Sequence, residues 1–230
     1  MEDQRPQSDS KQPLPFSPLV EQAIELSAQW HDRTYRKSRW RDEPFEVPDD
    51  EYLKVPVVSH VTSVAMIVQR AGWDDETVAA AFLHDVIEDE NRWEARFRYE
   101  NLSDLMGASV AELVREVSEE KLDASGRNRP WRDRKIGYIE RLRNASDGAV
   151  AISVADKLHN LWTINKSLKN GVDVFSRGRM RKALQGDPDQ QRWFFNEIHS
   201  IAEQRDDPRL NAMRSRLKEE MTRFDVLTGK

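Results

Sequence analysis

The stretch Ala79-Ala80-Ala81-Phe82-Leu83-His84-Asp85-Val86-Ile87-Glu88-Asp89 is apolar for two helical turns and then places four ionisable groups within six residues. A buried helix that ends in a carboxylate needs something to offset its desolvation. A carboxylate taken out of water unpaired is neutralised, paired or bound to a metal. His and Asp are both good ligands for a divalent cation. On one continuous helix Glu88 lies a turn beyond His84 and Asp89 a turn beyond Asp85, so each pair shares a face. That arrangement suits metal ligands with acid/base groups beside them. The plainer reading is a structural His–Asp hydrogen bond near a helix end.

Other groups of the same kind are spread along the chain. Ala149 to Thr163 is an apolar helix carrying Asp156, with Asn160 and Thr163 four and seven positions on, along one side. A carboxylate, an amide and a hydroxyl in one stripe point to a site rather than to core. His159 falls off that stripe and reads as structural. His60 opens a further helix after Val55-Pro56-Val57-Val58-Ser59, where it can point into a shared site. His60, His84, Asp85 and Asp156 all lie on apolar helices or at their ends, a placement compatible with convergence on one cation. Tyr35-Arg36-Lys37-Ser38-Arg39-Trp40-Arg41 interleaves cations with aromatics. It reads either as a solvated loop or as a loop for an anionic ligand with a planar ring, which Arg and aromatics can stack on while Lys holds phosphate.

The elements that must position these groups read as helices throughout, with no convincing alternating strand and no long repeat. Residues 1–16 are polar with Pro6, Pro13 and Pro15, and read as a disordered arm. Ser17-Pro18 is a helix start, and Val20, Ala23, Ile24, Ser27 and Trp30 continue its stripe to about Thr34; His31 is a surface or packing residue. Residues 91–100 read as loop or a short helical turn, 110–117 as helix, 123–130 as a flexible link and 131–143 as a helix rich in cations. Amphipathic helices follow at about 189–204 and 208–225, where Trp193, Phe194 and Phe195 are core. The fold class is all-α. Residues 17–170 form the domain that carries the site, and 171–230 a helical extension packed on it, with a homo-oligomer surface as the alternative use of those last helices.

Composition narrows the function. Of 230 residues, 36 are Lys or Arg and 41 Asp or Glu, a net charge of −5 that gives no general reason to bind nucleic acid or a membrane. With no cysteine, disulfides and thiolate chemistry are excluded. The first residues lack an apolar signal segment and no run approaches the length of a membrane span, so a cytoplasmic protein is expected.

Taken together these segments resemble the HD-domain metal-dependent phosphohydrolases, and more narrowly the hydrolase domain of the RelA/SpoT family and the small alarmone hydrolases. Pro56-Val57-Val58-Ser59-His60 resembles the family's Pro-Tyr-Ile-x-His, and Ala79 to Asp89 its Ala-Ala-Leu-Leu-His-Asp-x-x-Glu-Asp. Val154-Ala155-Asp156-Lys157-Leu158-His159-Asn160-Leu161-Trp162-Thr163 is similar to its Leu-Ala-Asp-Arg-Leu-His-Asn-Met-Arg-Thr, and His31 to Ser38 to a first-helix ending with Arg-Lys-Ser. The resemblance spans about residues 19–170. It implies an HD-domain helical bundle in which His60, His84, Asp85 and Asp156 hold one divalent metal, Mn²⁺. It implies that Glu88 and Asp89 orient the attacking water, that Arg36 packs on guanine with Lys37 nearby, and that Asn160 and Thr163 contact ribose and phosphates. The implied reaction is hydrolysis of the 3′-pyrophosphate of (p)ppGpp to GDP or GTP and pyrophosphate.

Three departures bear on the nucleotide pocket rather than the metal. Arg36 and His60 stand 24 positions apart, which makes room for an insertion rich in charge and proline. Val61 takes the place of a common proline, and Val57 that of a tyrosine. The 67 residues after Thr163 are too few for the synthetase domain of the long enzymes, so hydrolysis without synthesis is expected. The alternatives are an HD phosphohydrolase for another nucleotide or phosphorylated metabolite, a non-catalytic alarmone sensor and, lowest, a nucleic-acid module built on the 127–143 cations.

Overall fold

A computed structural model describes residues 15–40, 54–177 and 182–230, with the side chains of 37–40 excepted. Most of the expected disordered arm and most of the 39–54 insertion lie outside the described residues.

The first helix, α1 (Pro18–Trp30), starts as its sequence predicts: Ser17 Oγ accepts from the Val20 amide at 3.4 Å and proline stands in the first turn. The chain then departs from the all-helical expectation. The basic run forms a strand, β1 (Tyr35–Trp40), paired antiparallel with β2 (Lys54–Pro56) in an irregular register. Tyr and Trp at its ends suit a pleated surface, and Lys54-Val55-Pro56 supplies the partner. The ladder runs on to Val57, whose amide donates to the Thr34 carbonyl at 3.0 Å. This hairpin is the only sheet among the described residues, so the fold class stands.

Helix α2 (Val57–Arg70) leaves β2 directly. Helix α3 (Asp75–Leu83) is capped by Asp74, whose Oδ1 accepts from the Thr77 amide at 2.9 Å. From Thr77 to Leu83 every residue of α3 is buried, because α1, α2, α5 and α7 all pack on it. The alanines at 79–81 keep that approach close. Helices α4 (Tyr99–Met106) and α5 (Ala108–Val117) turn on Gly107, and α6 (Trp131–Arg143) follows a turn whose Leu122 bridges Asn128. Helix α7 (Asp147–Lys169) is the axis of the molecule, buried nearly all round by α2, α3, α5, α8 (Pro188–Glu203) and α9 (Asn211–Leu227). Near its start, a Cβ on Gly148 would come within 3.1 Å of Leu113 and 3.2 Å of Thr77, so α3, α5 and α7 meet there at close range. Asp187 and Gln190 cap α8 reciprocally, and a 3₁₀ turn at Pro208–Leu210 leads into α9. Among the described residues no helix is long and apolar enough to cross a membrane.

Helix α3 stops at Leu83, so the expectation of one helix running on to Asp89 is corrected. His84 is the capping position, and its Nδ1 lies 2.8 Å from the Ala81 carbonyl. Beyond it the backbone turns, with the Glu88 and Asp89 amides both donating to the Asp85 carbonyl.

Candidate metal centre

Three elements converge on one point. The first turn of α2 brings His60, the end of α3 brings His84 and Asp85, and the middle of α7 brings Asp156. Ligand atoms of His60, His84 and Asp156 all lie within 4.8 Å of one another, and all three residues are buried. Asp85 joins them, its carboxylate oxygens 3.3 Å from His84 Nε2 and 3.9 Å from His60 Nε2. The four residues expected to share a cation are therefore brought together.

The hydrogen-bond pattern fits a cation at their centre. A carbonyl only accepts, so His84 Nδ1 carries the proton that goes to Ala81. In the neutral ring Nε2 is then a lone pair, buried without a hydrogen-bond partner and facing Asp85 Oδ1 and, at 4.0 Å, Asp156 Oδ1. A lone pair facing two carboxylates is repulsive unless a proton or a metal lies between them. Burial works to lower the His84 pKa, but the charges of Asp85 and Asp156 and the Ala81 carbonyl raise it overall, so proton and cation compete for Nε2. Two imidazoles and two carboxylates form a mixed set that accepts a first-row divalent ion.

His60 is held differently. Its Nε2 is 3.1 Å from Asp156 Oδ1, and its Nδ1 is 2.7 Å from His159 Nδ1, so one proton is shared between the two rings. Burial and then the Arg36 charge push its pKa well below the ordinary value, which keeps the ring neutral as ligation requires. His159 thus stands behind His60, a candidate ligand, and its contact fixes the orientation of that ring. Its position three residues after Asp156 was the available signal, since i and i+3 also share a helix face.

Asp156 is ionised despite burial: Lys157 first, then His60 and His84, hold its pKa well below the carboxylate range. Its Oδ2 faces Lys157 Nζ at 2.5 Å, and its Oδ1 accepts from Asn160 Nδ2 at 2.5 Å. Asn160 Oδ1 in turn accepts from Arg36 Nη2 at 2.5 Å, which ties the hairpin to the ligand helix. Thr163 donates to the Asn160 carbonyl at 2.8 Å. Arg36, Asn160 and Thr163 all line the same cavity of about 470 Å³ as His60, His84 and Asp156. The Lys37 side chain lies outside the described residues.

The two acidic residues after the dyad separate. Glu88 lines the cavity, and its Oε1 accepts from the Glu119 amide at 2.6 Å. Burial, against the pull of Lys121 and with the push of Asp85 and Glu119, raises it to about 7. Asp89 Oδ1 lies 2.6 Å from Lys121 Nζ, which is also 3.5 Å from Glu88 Oε2, while the Asp89 carbonyl accepts from Trp30 Nε1 at 2.9 Å. His31 is buried as a packing residue beside them.

The HD domain family model matches residues 48–177, which contain His60, His84, Asp85 and Asp156. This chain belongs to the HD domain family. Among curated relatives, the HD chain is 31% identical over 118 residues to the guanosine-3′,5′-bis(diphosphate) 3′-pyrophosphohydrolase MESH1 of Danio rerio, a match covering 50% of this chain and 59% of that one. It is 37% identical over 115 residues to the bifunctional (p)ppGpp synthase/hydrolase SpoT of Escherichia coli, covering 47% of this chain and 15% of that one. The chain therefore spans less than two thirds of the length of these relatives. Among solved structures, lmo0812 from Listeria monocytogenes is 29% identical, with a TM-score of 0.57 over 74% of this chain and 97% of that one. A metazoan ortholog of SpoT, described as hydrolysing ppGpp, shares the fold at 23% identity and a TM-score of 0.59, over 94% of this chain and 98% of that one.

Proposed function

We propose that this HD protein is a metal-dependent phosphohydrolase that removes the 3′-diphosphate of guanosine 3′,5′-bis(diphosphate), or of its pentaphosphate analogue, with Mn²⁺ as the metal and in the cytoplasm. The observation that carries the reading is the buried His84 Nε2 lone pair, turned toward two carboxylates in a cavity that also holds His60, Glu88 and Arg36. The relatives whose names specify this reaction support the substrate. His60, His84, Asp85 and Asp156 would hold the ion, which supplies a Lewis acid and a bound water of lowered pKa.

The chain's own residues account for the rest. A carboxyl group near 7 is half ionised at neutral pH, so Glu88 can take the proton of the attacking water and return it to the leaving oxygen. Asp89, paired with Lys121, keeps that turn in place and supports the same proton path. Water adds to the phosphorus attached to the ribose 3′ oxygen, the P–O3′ bond breaks, and pyrophosphate leaves while O3′ gains a proton. Arg36 is released from Asn160 to pack on the guanine, with Lys37 beside it. Asn160 and Thr163 contact ribose and phosphate.

The test is release of pyrophosphate from ppGpp with Mn²⁺, run beside a nucleotide panel, for wild type and for His84→Ala with Asp85→Ala. Release by wild type alone is the expected result. If ppGpp survives and another nucleotide is cleaved, the substrate is wrong and the metal centre right. Val57, Val61 and the long spacing from Arg36 to His60 are the features that would then explain the change of pocket.

A further inference from the structure

The cavity does not end at the metal centre. It continues between α6, α7 and α8, where it is lined by Lys135, Tyr138, Ser153, Lys157 and Phe194. Nothing in the roles assigned so far uses this part. Lys157 Nζ lies 4.6 Å from the Tyr138 ring centroid, 5.5 Å from that of Phe194 and 3.5 Å from the Tyr138 hydroxyl. Lys135 Nζ lies 4.7 Å from the same Phe194 ring, and its carboxylate partner is Glu119. A buried ammonium group, Lys157, and a half-buried one, Lys135, thus lie near one ring at the wall of a cavity, each with a single carboxylate. Burial and then, against the help of Glu119, the neighbouring Lys157 charge hold the Lys135 pKa down. The two cations repel each other, and an anion between them would relieve that.

The link to the metal is Asp156. One of its oxygens faces the two histidines and the other faces Lys157. An ion held by the histidines would therefore share Asp156 with the Lys157 ammonium, each drawn to a different oxygen of that carboxylate. The described lining carries four cations, Arg36, Lys135, Lys157 and Lys182, against four carboxylates, Asp85, Glu88, Glu119 and Asp156. A bound divalent ion would shift that balance to +2, suited to an anion of more than one negative charge.

We infer that Lys157 and Lys135 form a second phosphate subsite, so that the distal phosphate of a diphosphate lies on the two lysines while its neighbour lies at the metal. This deepens the reading of the same site and rests on it for the reaction, though not for the binding. A single phosphate at the metal gains nothing from the lysines, so they set the preference for a diphosphate over a monophosphate group.

The experiment is calorimetric titration of inorganic pyrophosphate, and separately of orthophosphate, into the full chain loaded with Mn²⁺ and freed of excess metal. Wild type is compared with Lys157→Met and Lys135→Gln, and Mn²⁺ affinity is measured for each. Wild type should bind pyrophosphate about tenfold or more tighter than orthophosphate, the scale of one or two charge-assisted hydrogen bonds. Each variant should lose most of that ratio through pyrophosphate alone. Lys135→Gln leaves Glu119 paired with Arg134 and keeps the test open should Lys157→Met not fold. An unchanged ratio in a folded variant, an equal loss for both anions, or no preference in wild type overturns the subsite. Failure to cleave ppGpp, with the ratio and its lysine dependence intact, overturns the substrate and leaves the subsite standing.

Discussion

Helices α3 and α7 are both buried, and each delivers ligands to the same point, by opposite means. On α3 the ligands come where the helix ends. The carbonyl of Ala81, one of those a helix terminus leaves without an intrahelical donor, orients His84, and the turn after it frees Asp85 and Glu88 to face the cavity. On α7 the helix runs on past the site, and the candidate ligand is a carboxylate in the middle of a core element. Asp156 must be compensated by its neighbours, Lys157 beside it and Asn160 a turn on. A ligand at a helix end is supported by backbone; one in a helix middle needs partner side chains. The first arrangement predicts loss of metal with little loss of fold, the second loss of both.

Substitutions can break this contrast in order of size. His84→Ala should abolish Mn²⁺ binding and pyrophosphate release, an affinity loss beyond the roughly 10–100-fold typical of groups behind a ligand. Its urea midpoint without metal should fall less than that of an Asp156 variant, because the ring it removes makes one hydrogen bond, to the Ala81 carbonyl, and leaves its other nitrogen unpartnered. Asp156→Ala should lose the metal too, but it strands Lys157 as a buried unpaired charge. Breaking such a pair costs about 3–5 kcal/mol, readable as a lower urea midpoint in the metal-free protein. Equal midpoints for the two variants would end the comparison.

A smaller effect sharpens it on the α2 side. His159→Phe keeps ring volume and removes the nitrogen behind His60, so Mn²⁺ affinity should fall about 10–100-fold while the fold holds. The smallest effect concerns Glu88. It titrates near 7 in the folded chain, above its ordinary value of 4.5, so between those pH values the folded state keeps a proton that the unfolded state releases. Stability of the metal-free protein should therefore fall as pH rises through that window. Glu88→Gln should flatten the slope of Tm against pH between about 5 and 7; an unchanged slope would remove Glu88 as its source.

Much of this was legible from residue types at helical spacing. Asp156 stood out because its helix is otherwise apolar, and His84-Asp85 because an apolar run ended on charge. The helix boundary at Ser17 followed from a side chain that accepts an amide hydrogen bond ahead of a proline. What spacing did not show was where α3 stops. Nothing in Val86 or Ile87 breaks a helix, and the stop depends on the His84 ring taking a backbone carbonyl. The same error placed Glu88 and Asp89 on faces of a helix, whereas the turn brings both to Lys121 and only Glu88 to the cavity. His159 was missed because its partner, His60, is 99 positions away. The strand at Tyr35–Trp40 depends on pairing with Lys54–Pro56, a long-range contact that local patterning of a basic run does not carry.

Gly148 gives the centre its leverage. It sits near the start of α7, eight residues before Asp156, so about 12 Å of rigid helix separates them. At that glycine the helix leans on Thr77 of α3 and Leu113 of α5, and a methyl group there would press both side chains back by a few tenths of an ångström. The contact acts as a fulcrum between the two ligand-bearing helices: a few tenths of an ångström gained there would tilt α7 and carry the Asp156 carboxylate away from the histidines by a comparable or larger amount. A protein altered only at this remote point would keep all four candidate ligands and yet hold them in a changed arrangement, and a search for inactive variants confined to the cavity would pass it by.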